Sequence, residues 1–146
     1  MFEVTQPMTA RQLTQVPDDG NRYELVLGEL RMMSPTGGRH GRVTHNLALL
    51  LGLHVRQHDL GVVYAAETGF LLSRDPDTVR APDVAFVNKV RLAEVDDDSG
   101  FMPLAPDLVA EVLSPNDSFL PRDRPGHGLW RTGKVGCVRR RGQLET

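Results

Sequence analysis

The sequence predicts an α/β domain, and three patterns indicate it. Two apolar runs meet at Leu27-Gly28 and predict a hairpin over residues 23–33. Apolar residues recur at helical spacing over 39–58 and predict one long helix. Two further runs, 80–87 and 107–115, are short, rich in Val, Leu, Ala and Phe, and bounded by Pro or Asp, which is typical of buried strands. A helix and several short strands in this order define the predicted fold class.

Each of the two buried-strand candidates carries one carboxylate. Asp83 lies within the first run and Glu111 lies inside the second. An unpaired buried carboxylate costs several kcal/mol, so it must be protonated, paired or bound to a cation. Two carboxylates entering one apolar sheet therefore suggest a metal site. The alternative is that Asp83 caps a strand end beside Arg80, while Glu111 lies at an open edge of the sheet.

Length and composition describe one soluble domain. The chain has 146 residues, of which 40% are hydrophobic and 25% are charged. No apolar run approaches the roughly 20 residues that cross a bilayer, and the first residues show no secretory signal pattern. A single cysteine, Cys137, excludes an internal disulfide and a cysteine-based zinc site. These observations predict a cytoplasmic protein without a membrane segment.

The remaining polar residues give weaker signals. Residues 9–16 predict a short helix, in which Thr9 and Gln12 have the spacing of a capping box. Residues 62–66 and 68–72 predict two strands or one bent strand, with Glu67 between the two segments. Glu24 lies on the hairpin, where it points either toward a site or into solvent. The Gly pair after residue 36 is not a phosphate loop, because the Lys-Ser/Thr of that motif is absent.

Three histidines of the predicted long helix are candidates for binding a metal ion or another ligand. His54 and His58 are one turn apart and could hold zinc, but no third ligand motif accompanies them. His40 lies at the start of the helix beside the glycines, which is the position from which a histidine could face a ligand.

Five motifs in a fixed order resemble one known family. They are YELVLGEL, SPTGGRHGRV, AAETGF, VRAPDVAFV and PDLVAEVLSP, and they span about residues 9–119. Their succession resembles the Uma-type family of restriction-endonuclease-like proteins, within the PD-(D/E)xK nuclease superfamily. The resemblance implies a restriction-endonuclease-like core of α+β type, with a mixed sheet, an N-terminal helix and hairpin, and a last helix and strand.

The resemblance also implies an activity and a site. It implies an endonuclease that hydrolyses phosphodiester bonds of DNA with Mg²⁺ or Mn²⁺. Asp83 matches the family's metal-binding aspartate, and Glu111 matches its second acidic ligand, so both are expected to be catalytic and metal-binding. Glu67, Glu24 and His40 are possible accessory residues. Mg²⁺ prefers hard oxygen ligands and one or two carboxylates, which fits these residue types.

Leu113 departs from the superfamily motif, which has Lys two residues after the second acid. In this family a Lys from the following helix is thought to replace it, but that helix is not recognisable here. Two alternatives to an active enzyme follow. One is a catalytically inactive nuclease-like module that binds a partner, and the other is a non-functional, truncated product.

The tail, residues 120–146, differs from the preceding 119 residues. The first 119 carry 10 Lys and Arg against 17 Asp and Glu, whereas the tail carries 7 against 2. We predict that this Arg- and Gly-rich tail lies outside the native fold of the incomplete domain 1–119. It is either a genuine basic tail, able to bind nucleic acid through charge, or the product of a frameshift near codon 120.

Codon arithmetic is compatible with the frameshift hypothesis. The chain uses 15 Arg against 2 Lys, as a GC-rich gene would. Read one base later, codons 130–141 permit the residue types of an apolar strand that ends in an acid. A domain lacking its last strand would expose a sheet edge, through which two copies could form a homodimer.

Overall fold

The structure, a computed structural model, describes residues 6–113, 134–138 and 144–145. In the described part of the chain, short helices and strands alternate with one long helix, and the strands form two sheets. The elements are α1 (Ala10–Leu13), β1 (Arg22–Val26), β2 (Glu29–Met33), α2 (Gly38–Gln57), β3 (Gly61–Ala65), β4 (Phe70–Ser73), β5 (Thr78–Arg80), β6 (Val84–Asn88), α3 (Lys89–Leu92), β7 (Leu108–Val112), β8 (Lys134–Val138) and β9 (Leu144–Glu145). The predicted mixed α/β class is confirmed.

The first sheet is antiparallel, with the order β2-β1-β5-β4. Its hairpin forms as predicted, with Val26 opposite Glu29 and a two-residue turn between them. Leu27 and Gly28 have φ angles of 51° and 80°, as a type I′ turn requires. A Cβ atom at Gly28 would lie 2.2 Å from the Cβ of Pro7, so only glycine fits there.

Helix α1 closes one face of this first sheet. The predicted capping box is present, because Gln12 N–H donates to the Thr9 hydroxyl and Thr9 N–H donates to Gln12 Oε1. The helix is shorter than the 9–16 segment that the sequence predicts and ends in a turn. A small core between helix and sheet consists of Ala10, Leu13, Leu25 and Val79.

The second sheet has the order β3-β6-β7-β8-β9, and its central strands β6 and β7 are antiparallel and mostly buried. The long helix forms where predicted and packs mainly on β3, with Val55 only 3% exposed. Leu50, which periodicity places on the apolar face, is 68% exposed, and Leu49 and Leu53 are exposed as well. Periodicity predicts which residues share a face, but not whether another element covers it.

The predicted strand over 80–87 is in fact two strands in two sheets. β5 ends at Arg80 in the first sheet, and β6 begins at Val84 in the second. Pro82 interrupts the ladder, because proline has no N–H to donate. Asp83 therefore lies at the junction of the two sheets, immediately before β6.

Within the tail, the backbone of Lys134–Val138 forms β8 and pairs parallel to β7. The open edge of β7 offers backbone hydrogen bonds to any extended segment, which explains how a short stretch can join it. The region 114–133, where the family's last helix would fall, lies outside the described residues. The domain division at residue 119 and the frameshift hypothesis stay predictions, and resequencing codons 115–146 would test the second. Within the described residues, no helix is both long and apolar enough to cross a membrane.

Candidate functional site

Asp83 and Glu111 come together at the junction of the two sheets. Val84 pairs with Ala110 across β6 and β7, so the next position beyond that pair sets Asp83 opposite Glu111. Residues opposite each other in an antiparallel pair have Cβ atoms about 4.5–5.5 Å apart. Asp83 Oδ2 also accepts a 2.7 Å hydrogen bond from the N–H of Val112, the neighbour of Glu111. The two carboxylates that the sequence singled out are thus adjacent.

His40 approaches the same carboxylate from the start of α2. Its Nε2 lies 3.2 Å from Asp83 Oδ2, and the two side chains are 13% and 19% exposed. One helical turn further on, the Thr44 hydroxyl lies 3.5 Å from His40 Nδ1. The position at the helix start, which the sequence indicated for ligand contact, is therefore beside Asp83.

Glu24 lies next to this group and is almost completely buried. Its Oε1 accepts a 2.8 Å hydrogen bond from Ala81 N–H, and its Oε2 lies 2.7 Å from Arg80 Nε. Both oxygens of this glutamate therefore have protein partners. The pair ties hairpin strand β1 to the segment that leads from β5 to Asp83.

Glu111 is the acid of this site whose pKa is raised most clearly. Burial, together with the negative charges of Asp83 and Glu24, raises the pKa of Glu111 to about 8. The charge of Arg80 and a backbone hydrogen bond from Asp83 act in the opposite direction, but they do not offset the burial. A carboxyl group with such a pKa is mostly protonated at neutral pH, and a further positive charge nearby would favour its ionised form.

Glu67 does not join the group. It lies in the turn between β3 and β4 with a φ angle of 81°, and its side chain is 62% exposed in an ion pair with Arg22. Its accessory role stays a prediction. His54 and His58 stack with ring centroids 4.4 Å apart, and His58 Nδ1 lies 2.9 Å from the His54 carbonyl oxygen. Across the part of the chain that the structure describes, no three His, Cys, Asp or Glu side chains gather closely enough to hold a metal ion.

Two carboxylates are nevertheless the donor set that Mg²⁺ commonly takes from a protein, with waters completing its shell. The hydrogen bond from Val112 and the contact with His40 both fall on Asp83 Oδ2, which leaves Oδ1 as the oxygen available to a cation in this arrangement. The raised pKa of Glu111 is the second sign, because a divalent cation would offset the repulsion between the two acids. Asp83 and Glu111 therefore fit a hard divalent cation.

The Lys of the superfamily motif has no counterpart at this site among the described residues. Leu113, at its position, is buried with 9% exposure. The backbone of Lys134 pairs with Leu108, whereas Cys137 is the residue paired with Glu111. Three strand residues, about 10 Å, thus separate the backbone of Lys134 from the level of Glu111.

Arg80 is the charged residue at the site whose role the sequence did not reveal. The sequence relates Arg80 only to Asp83, as the neighbour of a capping aspartate. In the structure Arg80 pairs with Glu24, 56 positions earlier. Nothing in the local sequence signals a pair of such separation, although an Arg beside a buried acidic motif is itself a sign that a partner exists.

Comparison with solved structures supports the fold. The chain is similar to a protein from Anabaena variabilis ATCC 29413 whose crystal structure is described as that of "a putative nuclease belonging to DUF820". The TM-score is 0.72 at 16% identity, over 91% of this chain and 74% of that one. At this identity the likeness shows a shared fold alone. A search of curated proteins gave no match.

Comparison with protein families is more specific. The model of the Uma2 family, described as "Putative restriction endonuclease", matches residues 10–125. The match covers most of the chain and includes all the acids of the site. It also agrees with the order of motifs on which the resemblance rests. The chain therefore belongs to the Uma2 family of restriction-endonuclease-like proteins.

Proposed function

We propose that this chain is a Mg²⁺- or Mn²⁺-dependent endonuclease that hydrolyses phosphodiester bonds of DNA. Membership of a nuclease-type family supports nuclease chemistry in general. The observation that carries the metal-dependent form is the adjacency of Asp83 and Glu111, with the pKa of Glu111 raised to about 8. Two partly buried acids this close cannot both ionise cheaply, and a cation between them would favour the charged form of both.

The chain's own residues have separate tasks in this proposal. Asp83 and Glu111 would hold the cation. Asp83 accepts a hydrogen bond from Val112 N–H, next to Glu111, and Glu111 accepts one from the backbone of Asp83. Glu24 and Arg80 hold the segment that precedes Asp83 in place. When bound, a divalent cation supplies a water of lowered pKa and stabilises charge on a phosphodiester under attack.

A cleavage assay on supercoiled plasmid DNA tests the proposal, with Mg²⁺, Mn²⁺ or EDTA present. We expect Asp83→Asn and Glu111→Gln each to reduce cleavage by about 100-fold or more, as losses of electrostatic stabilisation do. Asp59→Asn and Glu29→Gln are matched controls, because both are exposed acids in surface ion pairs. Cleavage that persists in the double variant, or in EDTA, would count against the proposal.

The second candidate is a nuclease-like module that binds without cutting. The observation that favours it is the buried Leu113 at the position of the motif's Lys. The net negative charge of residues 1–119 points the same way, because DNA-binding surfaces are usually basic. This reading predicts metal-independent binding of a partner and no cleavage in any metal. A non-functional, truncated product would instead be insoluble or rapidly degraded.

Two finer predictions accompany the proposal. One is a homodimer formed through an open strand edge, and sedimentation of the purified protein would test it. The other is a cytoplasmic location, which fractionation of expressing cells would test.

A further inference from the structure

The side chain of Asp83 is held at one oxygen by two separate elements. Val112 N–H donates to Oδ2 from β7 at 2.7 Å, and His40 Nε2 lies 3.2 Å from the same atom on the side of α2. Asp83 itself precedes β6 at the junction of the sheets, so the ladder alone does not fix its side chain. Val112 and His40 therefore meet Oδ2 from two directions, which restricts the orientation of the carboxylate.

His40 is in turn held by its own helix. It is the third residue of the 20-residue α2, whose packing against the second sheet fixes its backbone. The Thr44 hydroxyl lies 3.5 Å from Nδ1, one turn along the same face. A hydroxyl that donates to Nδ1 leaves the ring proton on Nε2, which is the nitrogen facing Asp83.

We propose that His40 is a positioning residue that holds Asp83 Oδ2 so that Oδ1 faces a divalent cation. The inference rests on the proposed metal-dependent function and assigns no contact between His40 and the cation or the DNA. Mg²⁺ demands nearly ideal octahedral geometry, so the orientation of a single coordinating oxygen decides how well it binds. Groups that orient a metal ligand typically contribute 10–100-fold to metal affinity.

The test is a titration of Mn²⁺ into metal-free protein, followed by calorimetry or by the loss of the free-ion EPR signal. His40→Ala is expected to weaken Mn²⁺ binding about 10–100-fold. His40→Gln should retain most of the affinity, since its amide nitrogen can donate from nearly the position of Nε2. His45→Ala is the matched control, an exposed histidine on the same helix. Asp83→Asn provides the reference for a lost site.

Two kinetic quantities, the metal concentration at half-maximal cleavage and the rate at saturating metal, distinguish a positioning role of His40 from a structural one. In His40→Ala the metal concentration at half-maximal cleavage should rise, while the rate at saturating Mn²⁺ stays close to that of the unchanged protein. Should His40→Ala fail to fold, Thr44→Val replaces it, because it frees the ring without removing it. That variant should weaken Mn²⁺ binding to a smaller degree.

These measurements separate the positioning role of His40 from the proposed metal-dependent function on which it rests. If the unchanged protein binds no Mn²⁺, the proposed function fails. If it binds and folded His40→Ala binds equally well, the positioning role is overturned while the function stands. If His40→Gln is as weak as His40→Ala, donation to Oδ2 is overturned as the mechanism. Weak binding by His40→Ala with rescue by His40→Gln supports the inference.

Discussion

Two glutamates lie at the junction of the sheets, Glu24 buried and Glu111 partly buried, and their charges are balanced in opposite ways. Glu24, 5% exposed, has a backbone N–H on one oxygen and the Arg80 guanidinium on the other. Glu111 faces a second acid across the strands, and burial raises its pKa to about 8. Burial alone therefore does not distinguish a structural acid from a functional one.

The difference lies in how each negative charge is balanced. The Arg80 guanidinium neutralises Glu24, which gives Glu24 a structural role, whereas the described residues do not fully offset a negative charge on Glu111. Buried charges that the fold leaves uncompensated are more often found at functional sites. Three changes test this difference between Glu24 and Glu111: removal of the partner of Glu24, removal of the charge of Glu111, and addition of a divalent cation.

The largest effect is expected from Arg80→Met, which leaves Glu24 buried beside no cation of its own. Breaking a buried ion pair by removing one partner costs about 3–5 kcal/mol of unfolding free energy. Arg22→Met is the matched control, since its pair with Glu67 is exposed and worth about 0–1 kcal/mol. Urea denaturation measures both variants. Equal, small losses would show that Glu24 is not a structural acid.

A smaller effect is expected from pH in the metal-free protein. The pKa of Glu111 in the folded protein, about 8, lies above the ordinary glutamate value of 4.5, so between these pH values the folded state holds a proton that the unfolded state has lost. The unfolding free energy must therefore fall as pH rises through this window. Glu111→Gln should remove the fall and be more stable at pH 8 by roughly 3 kcal/mol, from about 1.4 kcal/mol per pKa unit discounted for partial exposure.

Urea denaturation in EDTA between pH 5 and pH 8 measures this dependence, with Glu29→Gln as an exposed control. If the unfolding free energy depended on pH in the same way in the unchanged protein and in Glu111→Gln, the raised pKa would belong to a group other than Glu111.

The smallest effect is expected from adding Mn²⁺ at ten times its dissociation constant. A ligand that binds only the folded state then raises the unfolding free energy by about 1.4 kcal/mol. Because Glu111 is a proposed ligand, the rise should disappear in Glu111→Gln. Thermal unfolding with and without Mn²⁺ measures it. An equal rise in both proteins would mean that the cation binds away from Glu111.

Local chemistry accounts for the elements that the sequence predicted well. The turn at Leu27-Gly28 and the Thr9–Gln12 capping box depend on residues a few positions apart, and both form as expected. The division of the 80–87 run depends on which sheet each half joins. Hydrophobic pattern records burial but not the identity of the neighbouring strand, so it predicts one strand where two exist.

At the candidate site, too, local sequence predicts some features and misses those that depend on tertiary contacts. Asp83 and Glu111 stood out because a carboxylate within an apolar run is conspicuous wherever the run folds. The pairing of Glu24 with Arg80 and the approach of His40 to Asp83 depend on tertiary contacts across more than 40 residues. Such contacts leave no periodic signal in a single sequence.

The order in which these residues occur along the chain has a consequence for synthesis. Glu24, His40 and Arg80 all precede Glu111, which lies on the strand that closes the junction. A ribosome adds about 5–20 residues per second and releases the N-terminal part first, so the scaffold pair is available before the acid pair. Partial chains thus carry Asp83 without its opposite acid. The proposed pair of metal-binding acids therefore exists only once translation has passed β7, so a nascent chain that stops earlier lacks the proposed site.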